Sequence, residues 1–419
     1  MNARSSGFLI LLLVPALFSQ TPPASAQSSQ SSTGPQVKEI FQFSRSGGYS
    51  SRGALIMDKA GNLYGTTMFG GNTECGGAGC GTVLELSPSP DGTWSETVLY
   101  AFTGGDSIGG PAGSTPVSSL VFDSDGNLYG TASAGGLRNC SFGCGTVFKL
   151  TPNGSGWTES TLYQFRGNTD GWMPKGNLVF DKAGNIYGTT QSGGEALYYG
   201  TVFKLTHQQD GTWTETVLYS FSNGPSGCIP SAVLADANDN IFGVAQLCGA
   251  RVLWGTIWEI SNAGTFSVIH TFEDNFTDGG YPNTGLTIDQ AGNLYGGTIA
   301  GPGTLCGGLG CGVIYELLAN NNWQEKILHS FSGNPGAVPN GALAFDAQGN
   351  LWGTTQYWDE GTLFEITPAS PNDIFTPVKV FQGPDGPPFA GVIFDSAGNA
   401  YGTQTSGRKG LGGVFKMTP

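Results

Sequence analysis

The chain has 419 residues and a formal net charge of −14, yet only 11% of its residues are charged. That acidic balance, with no Lys/Arg cluster to offset it, repels a phosphate backbone and argues against a nucleic-acid partner. Its 69 glycines imply a surface of amides, hydroxyls and backbone, which suits neutral ligands such as glycans better than ionic ones.

The first segment reads as a signal peptide. Arg4 precedes an apolar run over 8–18, and Pro22-Pro23 and Ala24-Ser25-Ala26 follow, which places cleavage after Ala26. Residues 27–36 read as a flexible linker, and 37–419 as one repeat domain. No Cys occurs before Cys75, so a lipid-anchored N-terminus is not expected, and no later stretch is apolar enough to span a membrane. The expectation is a secreted or periplasmic monomer with no membrane span after cleavage.

From residue 56 one phrase recurs seven times: an apolar pair, Asp, two variable residues, Gly-Asn, an apolar residue, an aromatic and Gly. Its Asn residues are Asn62, Asn127, Asn185, Asn240, Asn293, Asn350 and Asn399, at steps of 49 to 65 residues, in the range of propeller blades. A Gly-rich loop follows each phrase, then a Gly-Thr-Val-Phe-Lys-Leu run such as 145–150, a tight turn, and an aromatic strand such as 94–102 or 213–221. These runs are β-branched or aromatic and bounded by Gly, Pro, Asn and Asp, which predicts four strands per unit.

The Asp-x-x-Gly-Asn phrase predicts a hairpin in which Gly takes the left-handed position. In the fourth unit Asp239 stands there, a residue that tolerates that region. A calcium loop is the competing reading at Asp123 and Asp125, but no Glu follows where such a loop needs one. At the chain's end the last unit stops after its third strand, and 37–43 resembles the missing fourth. The expected fold is therefore an all-β, seven-bladed β-propeller whose N-terminal strand completes the last blade.

The runs Gly-Asn-Leu-Tyr-Gly-Thr-Thr at 61–67, with Gly70-Gly71 beyond, and Gly-Thr-Val-Phe-Lys-Leu-Thr at 145–151 resemble the GloVer-type tandem repeat of exported "choice-of-anchor" bacterial proteins. The resemblance covers nearly all of 37–419. It implies an exported repeat protein of uncharacterised function, with no catalytic residues to carry over. Many members end in an anchoring segment, whereas this sequence stops at Pro419.

Eight cysteines in an exported chain predict disulfides. Cys75 with Cys80, Cys140 with Cys144, and Cys306 with Cys311 fall in the same loop of three units, so local bridges are expected. Cys228 and Cys248 fall in two loops that emerge on one face of an antiparallel blade, which makes them partners. Their spacings, without nearby His, fit zinc poorly, and no metal or cofactor is expected.

That loop face is the expected binding surface, for neutral carbohydrate or a cell-surface partner. Trp172, Tyr281 and Trp358 are the candidate stacking residues, with packing between blades as the competing role for each. Gly105-Asp106-Ser107-Ile108-Gly109 matches a nucleophile pattern but lacks the helix it needs. His207, His270 and His329 lie in separate units, which argues against a shared metal site or triad. Two alternatives stay open: an extracellular polysaccharide lyase or glycosidase with acidic residues around the central channel, and a structural cell-surface protein without a small ligand.

Overall fold

The structure, a computed structural model, describes residues 34–104, 110–154, 156–249, 254–273, 277–357, 360–369, 371–405 and 410–419. They form seven antiparallel four-stranded blades, built from strands consecutive in sequence in blades 1 to 6 and across the two termini in blade 7. Blade 1 runs from Ile56–Met57 through Leu63–Thr67 and Thr82–Pro88 to Trp94–Ala101. In blades 2, 3 and 5 the inner strand is split, as in Trp172–Pro174 and Val179–Phe180, which both pair with Ile186–Ser192. Blade 7 joins the two ends of the chain: Gln36–Gln42 pairs with Gly413–Thr418, from Gln36 opposite Thr418 to Gln42 opposite Gly413, with a register shift between Glu39 and Phe41. The outer strand expected from 37–43 is thus present.

The repeated phrase builds the first hairpin of each blade. In blade 1 the Gly61 N–H donates to Asp58 O at 3.2 Å. Asp58 Oδ1 accepts from the Ala60 and Asn62 N–H groups, and Oδ2 from Asn62 Nδ2 and the Tyr64 hydroxyl, at 2.8 to 3.1 Å. The same four bonds recur around Asp123, Asp181, Asp289 and Asp395. Trp352 Nε1 supplies the fourth in blade 6 at 3.0 Å. In blade 4 Phe242 offers no donor, and Asp239 takes the glycine's left-handed conformation at φ 62°. Four donors occupy the acceptor capacity of a carboxylate, so these aspartates are knots in a turn, and calcium has no free ligand there.

Each remaining letter of the repeat has a packing cause. Gly130 pairs across the ladder with Phe148, and a Cβ on Gly130 would sit 2.6 Å from that ring. The ring lies instead against Phe102, which ends the outer strand of the preceding blade, with centroids 5.2 Å apart. Phe165 with Phe203, Phe331 with Phe364 and Phe381 with Phe415 repeat this contact at 5.1 to 5.6 Å. The cores therefore lie between blades, and the seam core unites Phe43, Leu55 and Leu84 with Tyr401 and Val414.

A second contact locks the face that carries the cysteines. Pro174 of blade 3 packs on Gly145 of blade 2, where a Cβ would stand 2.4 Å from Pro174 Cδ. The residue before that proline, Met173, has φ 57°, and its N–H donates to Cys144 O at 3.0 Å. Thr115, Tyr281 and Val338 repeat the strained conformation and donate to Cys80, Trp254 and Cys311. Such a conformation costs about 1–3 kcal/mol in a non-glycine residue, so it persists because the neighbouring blade holds it.

Deleting 34–43 removes the outer strand of blade 7 and Phe43 together. The truncated chain is expected to melt roughly 10 °C or more below the full chain, or to aggregate through the uncovered edge. Unchanged melting in differential scanning calorimetry would mean that the seam contributes nothing.

Candidate functional site

Seven inner strands approach so closely that small residues are obligatory where they meet. A Cβ on Gly341 would lie 2.0 Å from Gly391 N, and one on Gly53 would lie 2.5 Å from Ser118 O. They enclose a central channel of about 410 Å³ lined from all seven blades, within the range of small-ligand sites. Among the described residues, its only charged lining residues are Arg52 and Lys175. Both stand six positions before the hairpin Asp of their blade, immediately beyond the strained residue and its proline position, at the end of the inner strands nearest the disulfides.

This corrects the expectation of acidic residues around the channel. The aspartates of the repeat are consumed in hairpin turns, and no carboxylate lines the channel among the described residues. Arg52 lies over the Phe389 ring at 5.3 Å. Burial, and then the Arg52 charge, push the Lys175 ammonium below its ordinary range. Amides continue the wall. Gln246 Nε2 donates to Asn283 Oδ1 at 3.0 Å, Asn283 Nδ2 to Asn340 Oδ1 at 3.3 Å, and Asn340 Nδ2 to Gln356 Oε1 at 3.1 Å.

The disulfide face surrounds this mouth. Cys75–Cys80, Cys140–Cys144 and Cys306–Cys311 close the loops between second and third strands, and Cys228–Cys248 ties the inner strand of blade 4 to its neighbour. The same loops expose apolar side chains, with Tyr198 69% and Phe142 68% accessible. Four disulfides belong to an oxidising, extracellular compartment. No helix among the described residues is long and apolar enough to cross a membrane.

Two proposed stacking residues sit differently from expectation. Trp172 lies in the strand Trp172–Pro174 rather than in a free loop, and packs half-buried against the core of Tyr129, Phe165, Leu178 and Phe203. Tyr281 lies in Gly280–Pro282 and meets Trp254 edge-on at 5.0 Å. The cause is the kink before the proline, which adds a ladder pair ahead of the main inner strand. Trp358 and Ser107 lie outside the described residues. His329 stacks on Phe375 at 3.8 Å and His207 packs on Trp213 at 4.9 Å, whereas His270 turns toward Asp278.

The outer strands hold half-buried carboxylates that the sequence analysis did not single out. Burial pushes Glu96 up to about 7, and burial aided by Asp170 does the same for Glu215. Burial pushes the imidazoles of His270 and His329 down to about 4.

The Gloeobacter/Verrucomicrobia repeat model matches residues 79–309. No curated protein matches the chain. Among solved structures, a protein from Lactobacillus plantarum is similar at 15% identity and TM-score 0.52, covering 77% of this chain and 84% of that one. The extracellular domain of a proposed hybrid two-component system from B. thetaiotaomicron is similar at 9% identity and TM-score 0.54, covering 90% of this chain and 39% of that one. At such identities the likeness is one of fold.

Two outcomes follow from this geometry. Trp172→Ala is expected to lower unfolding free energy by about 2–3 kcal/mol, as truncation of a half-buried core aromatic should; a loss near zero in denaturant titration would return Trp172 to the ligand surface. Glu96 and Glu215 ionise later in the folded chain than in the unfolded one, where a Glu titrates near about 4.3. Their stabilising contribution is complete below that value and is lost as pH rises through about 7. The melting temperature should therefore fall between about pH 5 and 7, and the double variant Glu96→Gln, Glu215→Gln should flatten that fall; an equal slope in wild type and variant would contradict the assignment.

Proposed function

The chain belongs to the Gloeobacter/Verrucomicrobia repeat family, and from that membership we propose an exported binding propeller that holds a carboxylated carbohydrate, such as a short uronate, at its channel mouth. The observation that carries this reading is the charge of the lining. In a chain of net charge −14, Arg52 and Lys175 are, among the described residues, the charged groups of the channel lining. A ligand carboxylate between them would offset the burial, and the lesser repulsion from Arg52, that depress Lys175, and would gain charge-assisted hydrogen bonds. The Asn283 and Asn340 amides suit sugar hydroxyls, and exposed Tyr198 on the same face offers a ring to stack on. Export agrees with the four disulfides and with the leader read at 1–26. This replaces the neutral glycan suggested by overall composition, because the channel departs from that average.

A second reading has its own support. An amine held below its ordinary range beside a guanidinium is suited to take the proton next to a uronate carboxylate while the arginine balances the charge. The glycosidic C–O bond would then break with formation of a C=C bond, the departing oxygen taking a proton from solvent water, which is the reaction of a polysaccharide lyase.

Calorimetric titration with oligogalacturonate and with its carboxyl-reduced counterpart tests the first reading. The charged oligosaccharide is expected to bind, the reduced one at least about tenfold more weakly, and Arg52→Ala and Lys175→Ala to weaken binding with the melting temperature retained. Equal affinity for both sugars, or indifference to both substitutions, would discard it. Ultraviolet absorbance of an unsaturated product separates turnover from binding.

A further inference from the structure

The cleft between the outer strands of blades 4 and 5 brings together three groups from distant sequence. His270 lies in Phe266–Thr271, Asp278 in the loop leading into blade 5, and Glu325 in Gln324–Ser330. One ligand atom from each falls within 4.8 Å of the others, with His270 Nε2 4.0 Å from Asp278 Oδ2. His270 Nε2 and Glu325 Oε1 are buried without a hydrogen-bonding partner, and so is the hydroxyl of neighbouring Tyr315. The Glu273 N–H fixes Asp278 at 3.1 Å.

The protein carries its own control. In the cleft between blades 2 and 3, Tyr163 stands where His270 does, and its hydroxyl donates to Asp170 Oδ2 at 2.8 Å. The Arg166 N–H holds that carboxylate as Glu273 holds Asp278, and Glu215 occupies the place of Glu325. Tyrosine and the Arg166 N–H bond one oxygen of the aspartate there, Asp170 Oδ2, while Asp170 Oδ1 and Glu215 Oε1 stay unpartnered; what that cleft lacks is the imidazole. Exchanging the tyrosine for histidine trades a hydroxyl donor for an imidazole nitrogen, the commonest metal ligand. The other histidine in this register, His329, meets Phe375 instead of a carboxylate, so among the described residues only the cleft between blades 4 and 5 assembles the set.

We propose that His270, Asp278 and Glu325 bind a divalent transition-metal ion, Zn²⁺ foremost, in the rim cleft between blades 4 and 5. One imidazole and two carboxylates form a donor set that zinc accepts, and three protein ligands leave a fourth position for water. Metal–ligand bonds of about 2.0–2.2 Å require the carboxylates to close on the imidazole by side-chain rotation, which partly accessible side chains permit. An ion here would satisfy the buried atoms left unpartnered and clamp two blades together. The imidazole makes the set a poor match for calcium, which takes oxygen ligands.

Titration of the untagged full chain with Zn²⁺, followed by calorimetry, and with Co²⁺, followed by visible absorption, tests the site. The expected result is one ion per chain, an EDTA-reversible rise in melting temperature, and Co²⁺ bands of an N/O environment. His270→Tyr, which installs the residue of the blade 2 cleft, and Glu325→Gln should each weaken Zn²⁺ binding at least about tenfold, while Glu215→Gln leaves it unchanged. Melting in EDTA verifies that each variant folds. Absence of Zn²⁺ and Co²⁺ binding at millimolar concentration, or binding that survives both His270→Tyr and Glu325→Gln, would overturn the proposal.

Discussion

The structure depends on contact between blades at glycine. A blade alone is a twisted four-stranded sheet with both faces apolar, and it cannot bury either face by itself. The aromatic of its third strand lies over a glycine on one side and meets the terminal Phe of the preceding blade on the other, as Phe148 does with Gly130 and Phe102. Side chains of any size at the glycine would lift the ring and separate the blades. Pro174 over Gly145 and the inner-strand approach at Gly341 and Gly391 obey the same constraint at other radii. Large cavities cost stability steeply, so the ring of blades tolerates little variation at these points and much variation in the loops.

The hairpin knots have an electrostatic side effect. Burial raises the Asp58, Asp123 and Asp395 carboxyls, but the donors gathered around each outweigh it and hold them below the usual range. Much of the acidic charge is thereby committed to turns away from the channel lining. Field and shape are thus separated, with carboxylates in the turns and cations at the axis, which permits an acidic protein to offer a basic pocket.

Much of the fold was legible because the repeat states each contact seven times. Asp58 and its Asn partner, the left-handed Gly61 or Asp239, and the strand at 37–43 all leave periodic or complementary marks. Arg52 and Lys175 leave none, since the position changes along the chain, to Asn283, Asn340 and Phe389 in blades 5, 6 and 7; the ring brings such residues face to face. Trp172 misled for a local reason. A Gly-rich segment before proline looks like a free loop, yet Met173 accepts a strained conformation to pair with the blade beside it. His270 and His329 occupy equivalent places in their strands, and what separates them is two residues of the next blade, Asp278 and Glu325 beside one and Pro335 and Phe375 beside the other.

The seam also decides how the molecule answers to force. Gln36 and Thr418 face each other at the start of one antiparallel pair, so the two ends of the ring leave from the same corner of blade 7. Tension applied between them loads the hydrogen bonds one pair at a time, in the manner of a zip, rather than all together in shear. A chain held by one end alone carries no such load across the closure, whereas one stretched between two attachments would open at blade 7 first, leaving blades 1 to 6 stacked until the seam had parted.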